Sequence, residues 1–292
     1  MSPNSRDAAT FAPPIKCQGI KTRLTDWIRS LSAGLVEGRR WIEPFAGSCA
    51  VSLNLRPERA LMCDSNPHLM HFYRSVQDGS VSPESVRRHL EAEGRRLLDE
   101  GEAHYYRIRE RFNGSLSGPD GAGDPHDFLF LNRACFNGLI RFNRRGGFNV
   151  PFCRKPARYA PAYVTRIVNQ VERARDVIRA GDWEFRCQRF EQSLAEAGAD
   201  DLLYCDPPYA GRHTDYFNCW TDADEATLAA GLARSRAPFI LSTWHHNVHR
   251  HNPALEDQWS GYRILTRKHF YHVGARERNR HAMVEALVTS LV

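Results

Sequence analysis

Short apolar runs alternate along this chain with longer segments whose apolar positions recur at helical spacing. Leu24, Trp27, Ile28 and Leu31 predict a helix within Ile20–Leu35, ended by Gly34 and Gly38. Trp41-Ile42 predicts a short strand that runs into Glu43-Pro44-Phe45-Ala46-Gly47-Ser48-Cys49, with a helix over Ala50–Leu55. Ala60–Cys63 predicts a second strand, ending at Asp64-Ser65-Asn66-Pro67 before a helix over His68–Gln77. Val86–Arg111 is charged and helical, and Asn113–Asp127, rich in Gly, Pro, Ser and Asp, predicts a flexible loop. The Asn, Gly and aromatic residues of Phe128–Tyr159 predict a helix end, a turn and a hairpin, and Val164–Ile178 an amphipathic helix. Strands are predicted over Trp183–Cys187, Asp201–Cys205, Pro238–Trp244, Tyr262–Phe270 and His281–Leu291, with a helix over Ala223–Ser235.

Strands alternating with helices predict an α/β fold with a mostly parallel sheet. The stretch 68–160 interrupts that alternation and reads as an inserted, mainly helical domain, so that 12–67 and 161–292 form the two parts of the sheet-bearing domain. The 292 residues suffice for this arrangement, and 42% hydrophobic residues exclude a disordered chain. No apolar run approaches the roughly 20 residues of a membrane-spanning helix. Met1–Thr10 reads as a short disordered leader rather than a signal peptide. The eight cysteines, at 17, 49, 63, 135, 153, 187, 205 and 219, form no CxxC pair and sit in apolar stretches. They read as buried free thiols of a reducing cytoplasm rather than as disulfides or a zinc site. The formal net charge of +6 admits a polyanionic partner. That charge is unevenly placed, because Phe128–Tyr159 holds seven Arg or Lys and no acidic residue.

Three stretches carry candidate chemistry. Glu43 to Cys49 places one glycine of close approach, Gly47, in a strand-to-helix turn, where free helix N–H groups suit a nucleotide or nucleoside. A dinucleotide fingerprint has three spaced glycines and this turn has one, so a ligand turn and a plain tight turn both stay open. Asp64, after the second strand, stands where a carboxylate accepts from ribose hydroxyls, and also where a helix N-cap would stand. Asp206-Pro207-Pro208-Tyr209 lies at the carboxyl end of an apolar strand, where α/β sheets place ligands. A carboxylate and a proline carbonyl accept the two hydrogens of an exocyclic amine, and the aromatic ring stacks on the base that carries it.

Asp206-Pro207-Pro208-Tyr209 is similar to the catalytic motif of amino-methylating DNA methyltransferases, and Glu43-Pro44-Phe45-Ala46-Gly47 to their cofactor turn. Leu131-Asn132-Arg133-Ala134-Cys135-Phe136-Asn137-Gly138-Leu139, continuing through Arg141-Phe142-Asn143 and Gly147-Phe148-Asn149-Val150-Pro151-Phe152, closely resembles the recognition signature of the Dam-like, D12-class adenine-N6 methyltransferases. The resemblance spans residues 14 to 290. It implies a Rossmann-like S-adenosylmethionine-dependent methyltransferase domain with an inserted DNA-recognition domain, yielding S-adenosylhomocysteine as the second product. In the N-terminal cofactor segment, Gly19 and Lys21 match the family. Cys17 stands in place of a tryptophan, Ile20 in place of a glycine, and Cys49 replaces the last glycine of the turn. These departures point to a subgroup distinct from Dam itself, whose target need not be GATC. The implied cofactor-binding residues are Cys17, Lys21, Glu43, Pro44, Phe45, Gly47, Asp64 and Asp206. The implied catalytic residues are Asp206, Pro207, Pro208 and Tyr209.

The amine at adenine C6 is a poor nucleophile because its lone pair is delocalised into the ring. Hydrogen bonds to ionised Asp206 and to the Pro207 carbonyl would orient it for direct attack on the sulfonium methyl group, with the adenine flipped out of the duplex and stacked on Tyr209. Double-stranded DNA would meet Asn132, Arg133, Asn137, Arg141, Arg144, Arg145, Asn149, Arg154 and Lys155, the cations on phosphates and each Asn either reading a base edge or capping a turn. Arg276, Arg278 and Arg280 near Glu285 either approach DNA or pair with local acids. His245, His246, His249 and His251 lack a steady helical spacing and lie in a polar loop, so no metal is expected. Trp27, Trp41, Trp183 and Trp259 read as core, and for Trp244, at a strand end, a place in the core and one lining the pocket both stay open. A cytosine-N4 methyltransferase and a DNA-binding module with lapsed catalysis are the alternatives. A monomer in a bacterial, archaeal or phage-infected cytoplasm is expected, with a dimer or a cognate restriction endonuclease as further partners.

Overall fold

The computed structural model describes residues 10–143, 145–209, 220–246, 250–270 and 282–291. Seven strands form one sheet: β1 Arg40–Glu43, β2 Arg59–Asp64, β3 Asp182–Cys187, β4 Asp201–Cys205, β5 Phe239–His246, β6 Arg263–Phe270 and β7 Ala282–Thr289. Their order is β3-β2-β1-β4-β5-β7-β6. The first five are mutually parallel, and β7 runs antiparallel between β5 and β6. The carboxyl ends of five strands therefore share one edge, the edge at which open α/β sheets hold ligands. At the opposite edge, Arg40 and Asp201 are partners in the register of β1 and β4. Their side chains add two hydrogen bonds of 2.9 and 3.0 Å to the start of both strands.

Helices α1 Thr25–Ser32, α2 Ala50–Leu55, α3 Pro67–Asp78, α4 Pro83–Glu100, α5 Glu102–Gly114, α6 Pro125–Ala134, α7 Pro161–Ala180, α8 Phe190–Glu196, α9 Asp222–Arg234 and α10 Ala254–Asp257 complete the molecule. Several starts follow local rules. Pro67, Pro83, Pro125 and Pro161 each open a helix, where a missing N–H costs nothing. Asn66, Ser82 and Asp124 cap α3, α4 and α6 with their side-chain oxygens.

Side chains alternate across the sheet. Trp41, Met62, Tyr204 and Ile240 face one core, and Ile42, Leu61, Leu203 and Leu241 face another beneath α8 and α9. The first core is continuous, passing from the sheet through Phe72, Tyr73 and Val76 of α3 to Leu90, Tyr105 and Phe130 of α4–α6.

The expected loop Asn113–Asp127 is shorter and more ordered than its composition suggested. α5 extends to Gly114 and α6 starts at Pro125. Between them a turn at Pro119–Gly121 is closed by the Gly118 N–H on the Ala122 carbonyl at 2.8 Å. The Asp124-Pro125 pair that reads as loop composition is in fact a helix cap and first turn. α8 and α10 had no counterpart in the apolar pattern, and α1 is shorter than Ile20–Leu35 because Thr22–Leu24 forms a separate 3-10 turn. In the expected hairpin, Phe142 bridges Phe148, and the Asn143 side chain accepts from the N–H groups of Arg145 and Gly147. The seven described cysteines are free thiols, four buried and three half-buried. Trp41, Trp183 and Trp259 are buried and Trp27 packs on the core. No helix among the described residues is long and apolar enough to cross a membrane. Met1–Pro3 and the rest of 1–9, Arg144, Cys219, His249 and the basic turn with Arg276, Arg278 and Arg280 lie outside the described residues.

Candidate active site

The turn after β1 is organised by Asp64. Its Oδ2 accepts from the Gly47 N–H and its Oδ1 from the Asn66 N–H, both at 2.9 Å. The helix cap is Asn66, whose side chain accepts from His68 at 3.0 Å, so Asp64 is not the cap its position allowed. Burial pushes the Asp64 carboxyl up, against the two N–H groups that favour its ionised form. Gly47 and Cys49 both adopt left-handed backbone, φ 50° and 54°. At Cys49 the side chain makes that conformation costly, by about 1–2 kcal/mol, where a glycine would hold it freely. A Cβ at Gly47 would meet nothing nearer than the Cys17 sulfur at 4.0 Å, so this turn is open and Cys17 forms its far wall. Burial, then the nearby Asp64 charge, pushes the Cys17 thiol well up, which makes it a poor nucleophile.

Glu43 ends β1 almost fully buried. It accepts from the Trp41 indole at 2.9 Å and from the Ser52 hydroxyl of α2. Burial raises its carboxyl to about 7, with these donors acting in the opposite direction. Phe45, two residues on, stacks on Phe190 and meets Trp220 edge to face.

Asp206-Pro207-Pro208-Tyr209 leaves the carboxyl end of β4 beside this turn. The Lys21 ammonium lies 2.8 Å from Asp206 Oδ1, also donates to the Gly19 carbonyl at 3.0 Å, and sits 5.0 Å from the centre of the Tyr209 ring. Burial raises the Asp206 carboxyl and the Lys21 charge and hydrogen bond oppose it. The Tyr209 hydroxyl donates to Glu285 Oε2 at 2.8 Å, which fixes the plane of the ring from β7. Glu285 is fully buried and was not among the sequence candidates for this site. The available signal was a single acid inside the apolar strand Ala282-Met283-Val284-Glu285-Ala286-Leu287.

The N-terminal segment reaches this site along a track of hydrogen bonds. Phe11 exchanges two bonds with the Asn54 side chain of α2. Asn132 accepts from the Lys16 N–H and donates to the Lys16 carbonyl, each at 2.9 Å. Arg133 donates through Nε to the Pro14 carbonyl at 2.7 Å and reaches Gln170. Asn132 and Arg133 are thus corrected from the DNA-facing set. Both are buried in α6, which is enclosed on all sides, and they hold the segment that carries Lys21 to Asp206. Arg158 is likewise used internally, on the Arg133 carbonyl and the Tyr163 hydroxyl. Arg141 donates to the Asn149 side chain at 2.7 Å and to its carbonyl, so these two candidates brace the hairpin across its width. Asn137, in left-handed backbone, and Arg145, Arg154 and Lys155 are exposed, as is Phe136, the chain neighbour of Asn137.

The chain matches the model of the D12 class N6 adenine-specific DNA methyltransferases over residues 18–273. It is 32% identical to a DNA adenine methylase of Vibrio cholerae over 234 residues, covering 76% of this chain and 78% of that protein. It is 31% identical to a DNA adenine methylase of Salmonella typhi over 259 residues, covering 84% and 82%. The retron Ec67 DNA adenine methylase of Escherichia coli is 34% identical over 223 residues, covering 75% and 71%. Turn, acid, lysine and Asp-Pro-Pro-Tyr motif fall within the matched region, and the chain belongs to the D12 class of N6 adenine-specific DNA methyltransferases.

Proposed function

We propose that this chain takes the methyl group from S-adenosylmethionine and delivers it to the N6 amine of an adenine flipped out of double-stranded DNA. One observation carries the reading. Asp206 stands half-buried at the sheet's carboxyl edge, held at 2.8 Å by Lys21, directly before two prolines and an aromatic ring fixed by Glu285.

The residues present suit the donor. An open glycine turn bordered by the carboxylates Asp64, Glu43 and Asp206 matches a ligand that combines ribose hydroxyls with positive charge. Asp64 would take the ribose hydroxyls. Phe45 and Pro44 would flank the donor from the turn, and Cys17 would close the wall opposite Gly47. When bound, the donor supplies an electrophilic methyl group on a sulfonium. The protein's share is alignment. Asp206 and the Pro207 carbonyl accept the two N6 hydrogens and direct the nitrogen lone pair out of the ring plane, and Tyr209 stacks on the flipped base. Lys21 favours the ionised form of Asp206 against the burial that raises its carboxyl, because an opposite charge at this distance favours the charged carboxylate. Asn137, Arg145, Arg154 and Lys155 would contact the duplex, the cations on phosphates.

The test is to incubate the protein with methyl-labelled S-adenosylmethionine and unmethylated duplex DNA, then digest the DNA and identify the labelled nucleoside. Label in N6-methyl-2′-deoxyadenosine is expected, together with a rise in fluorescence when 2-aminopurine replaces the target adenine. Label in N4-methyl-2′-deoxycytidine, or transfer to single strands only, would overturn the reading.

A further inference from the structure

At the end of β5, away from Asp206, three histidines of one short stretch turn their rings toward one another. We propose that His245, His246 and His251 form a three-imidazole site for a late first-row divalent cation, with zinc as the leading candidate. One ring nitrogen from each lies within 4.8 Å of the others. Helical spacing gave no reason to expect this, and the cause is a strand irregularity.

Adjacent residues of a strand point to opposite faces, so His245 and His246 should diverge. The pairing of β5 with β7 shifts between them: Trp244 opposes Glu285 and His246 opposes Val284, which leaves His245 as the extra residue of a bulge. The bulge re-aims the side chains until the two Nδ1 atoms are 2.8 Å apart. His251 then returns to bridge His246, with the two rings stacked at 5.1 Å between centres. The return is anchored by Asn252, which is buried. Its N–H donates to the His245 carbonyl at 2.9 Å, and its side chain donates to the Trp244 carbonyl at 2.9 Å and the Thr243 hydroxyl at 3.2 Å. The backbone beneath the three rings is thus fixed, while His245 and His246 are half-exposed and His251 is exposed.

Nitrogens around tetrahedral zinc lie roughly 3.3 Å apart, for Zn–N bonds of about 2.0–2.1 Å. A bound cation would draw the three nitrogens in from the observed spacing, and the half-exposed His245 and His246 and the exposed His251 have side-chain torsions with room to turn. Three imidazoles select zinc, cobalt, nickel or copper over magnesium or calcium, and leave room for water as a further ligand. β5 runs past Leu241, the partner of Cys205, so this site stands on the same edge as Asp206 and further out from the sheet. A bound cation would tie the end of β5 to the segment that re-enters at His251, and no step of methyl transfer requires it.

The test uses the full chain, stripped with chelator and titrated with zinc by calorimetry and with cobalt by visible absorption. One equivalent of each is expected. The cobalt complex should show d–d bands without the sulfur charge-transfer absorption that cysteine ligation would add. His251→Ala and, separately, His246→Gln should weaken zinc binding by at least the roughly 10–100-fold that loss of even an outer-shell partner costs. His71→Ala, a histidine on α3 away from the cluster, should leave it unchanged. Absence of a stoichiometric site, zinc affinity unchanged from the parent protein in the His251→Ala and His246→Gln variants, or a sulfur band would each overturn the proposal.

Discussion

At Asp206 two influences oppose one another: burial favours the protonated acid and Lys21 favours the carboxylate. In the proposed mechanism the ionised carboxylate accepts from the target amine, so the balance would set the acid limb of the rate. Lys21→Met removes the opposing cation and should move that limb of single-turnover methyl transfer to higher pH, whereas Lys21→Arg should hold it near the original position. An unmoved limb in the Met variant would show that Lys21 does not govern Asp206. Asp206→Asn keeps a side-chain carbonyl but removes the negative charge of the acceptor, and should slow transfer by roughly 10²–10³-fold or more while duplex affinity stays nearly constant. Glu43 makes a different prediction. Its carboxyl is raised from 4.5 to about 7 by burial, so the folded state binds its proton more tightly than the unfolded state does. Stability from this group is therefore fully present below 4.5 and is lost as pH rises through about 7, with a ceiling near 3 kcal/mol. Glu43→Gln keeps an acceptor for Trp41 and Ser52 and should raise the melting temperature at pH 8 but not at pH 4, while weakening binding of the methyl donor. Thermal melts at the two pH values, with donor titration alongside, check both halves.

At the scale of elements, the basic stretch 128–159 divides into residues that build the protein and residues that face outward. Arg133 on α6 is enclosed and bonded to the carbonyl of Pro14, whereas Arg154 and Lys155, just beyond the bridge between Cys135 and Phe152, are exposed. Arg133→Ala should cost roughly 3 kcal/mol, because several buried acceptors lose a charged donor at once. It should also reduce methyl transfer through the slackened N-terminal segment, with little change in the salt dependence of DNA binding. Arg154→Ala and Lys155→Ala should each leave the melting temperature in place and lower the slope of log affinity against log salt by about 1. Equal salt slopes for the Arg133 and Arg154 variants would contradict this division. The same stretch shows what a sequence can convey. Asp206-Pro207-Pro208-Tyr209 was legible because its chemistry is contiguous and sits at a strand end. The sheet was legible because parallel strands buried on both faces read as continuous apolar runs. Arg133 was misread because charge and residue type do not report enclosure, which depends on Pro14 and Gln170 far along the chain. Glu285 went unassigned because its partner Tyr209 lies 76 positions away. The histidine cluster was dismissed because a bulge, rather than a repeat, brings its members together.

For the molecule as a whole, the decisive feature is that the core of the sheet continues without a break into the helices of 68–160. Trp41 and Tyr204 of the sheet, Phe72 and Tyr73 of α3, and Phe130, Tyr105 and Tyr159 further along belong to one buried cluster. The N-terminal segment adds a second tie, bonded to α2 through Asn54, to α6 through Asn132 and Arg133, and to Asp206 through Lys21. Chains of this length often unfold in stages when their parts have separate cores, and a shared core argues for a single cooperative transition. The distribution of tryptophan provides the measurement. All six lie outside 68–160, so their fluorescence reports the sheet-bearing part, whereas far-ultraviolet circular dichroism is weighted towards helices that include α4, α5 and α6. The two signals should superimpose on heating, and the calorimetric and van't Hoff enthalpies should agree. Loss of helical signal at a lower temperature than the tryptophan change would mean that α4–α6 melt alone, and that the shared core does not couple them to the sheet. Where the signals do coincide, a saturating concentration of S-adenosylmethionine, the donor proposed above, should raise both midpoints by the same increment, since a ligand that binds the folded state stabilises the entire cooperative unit.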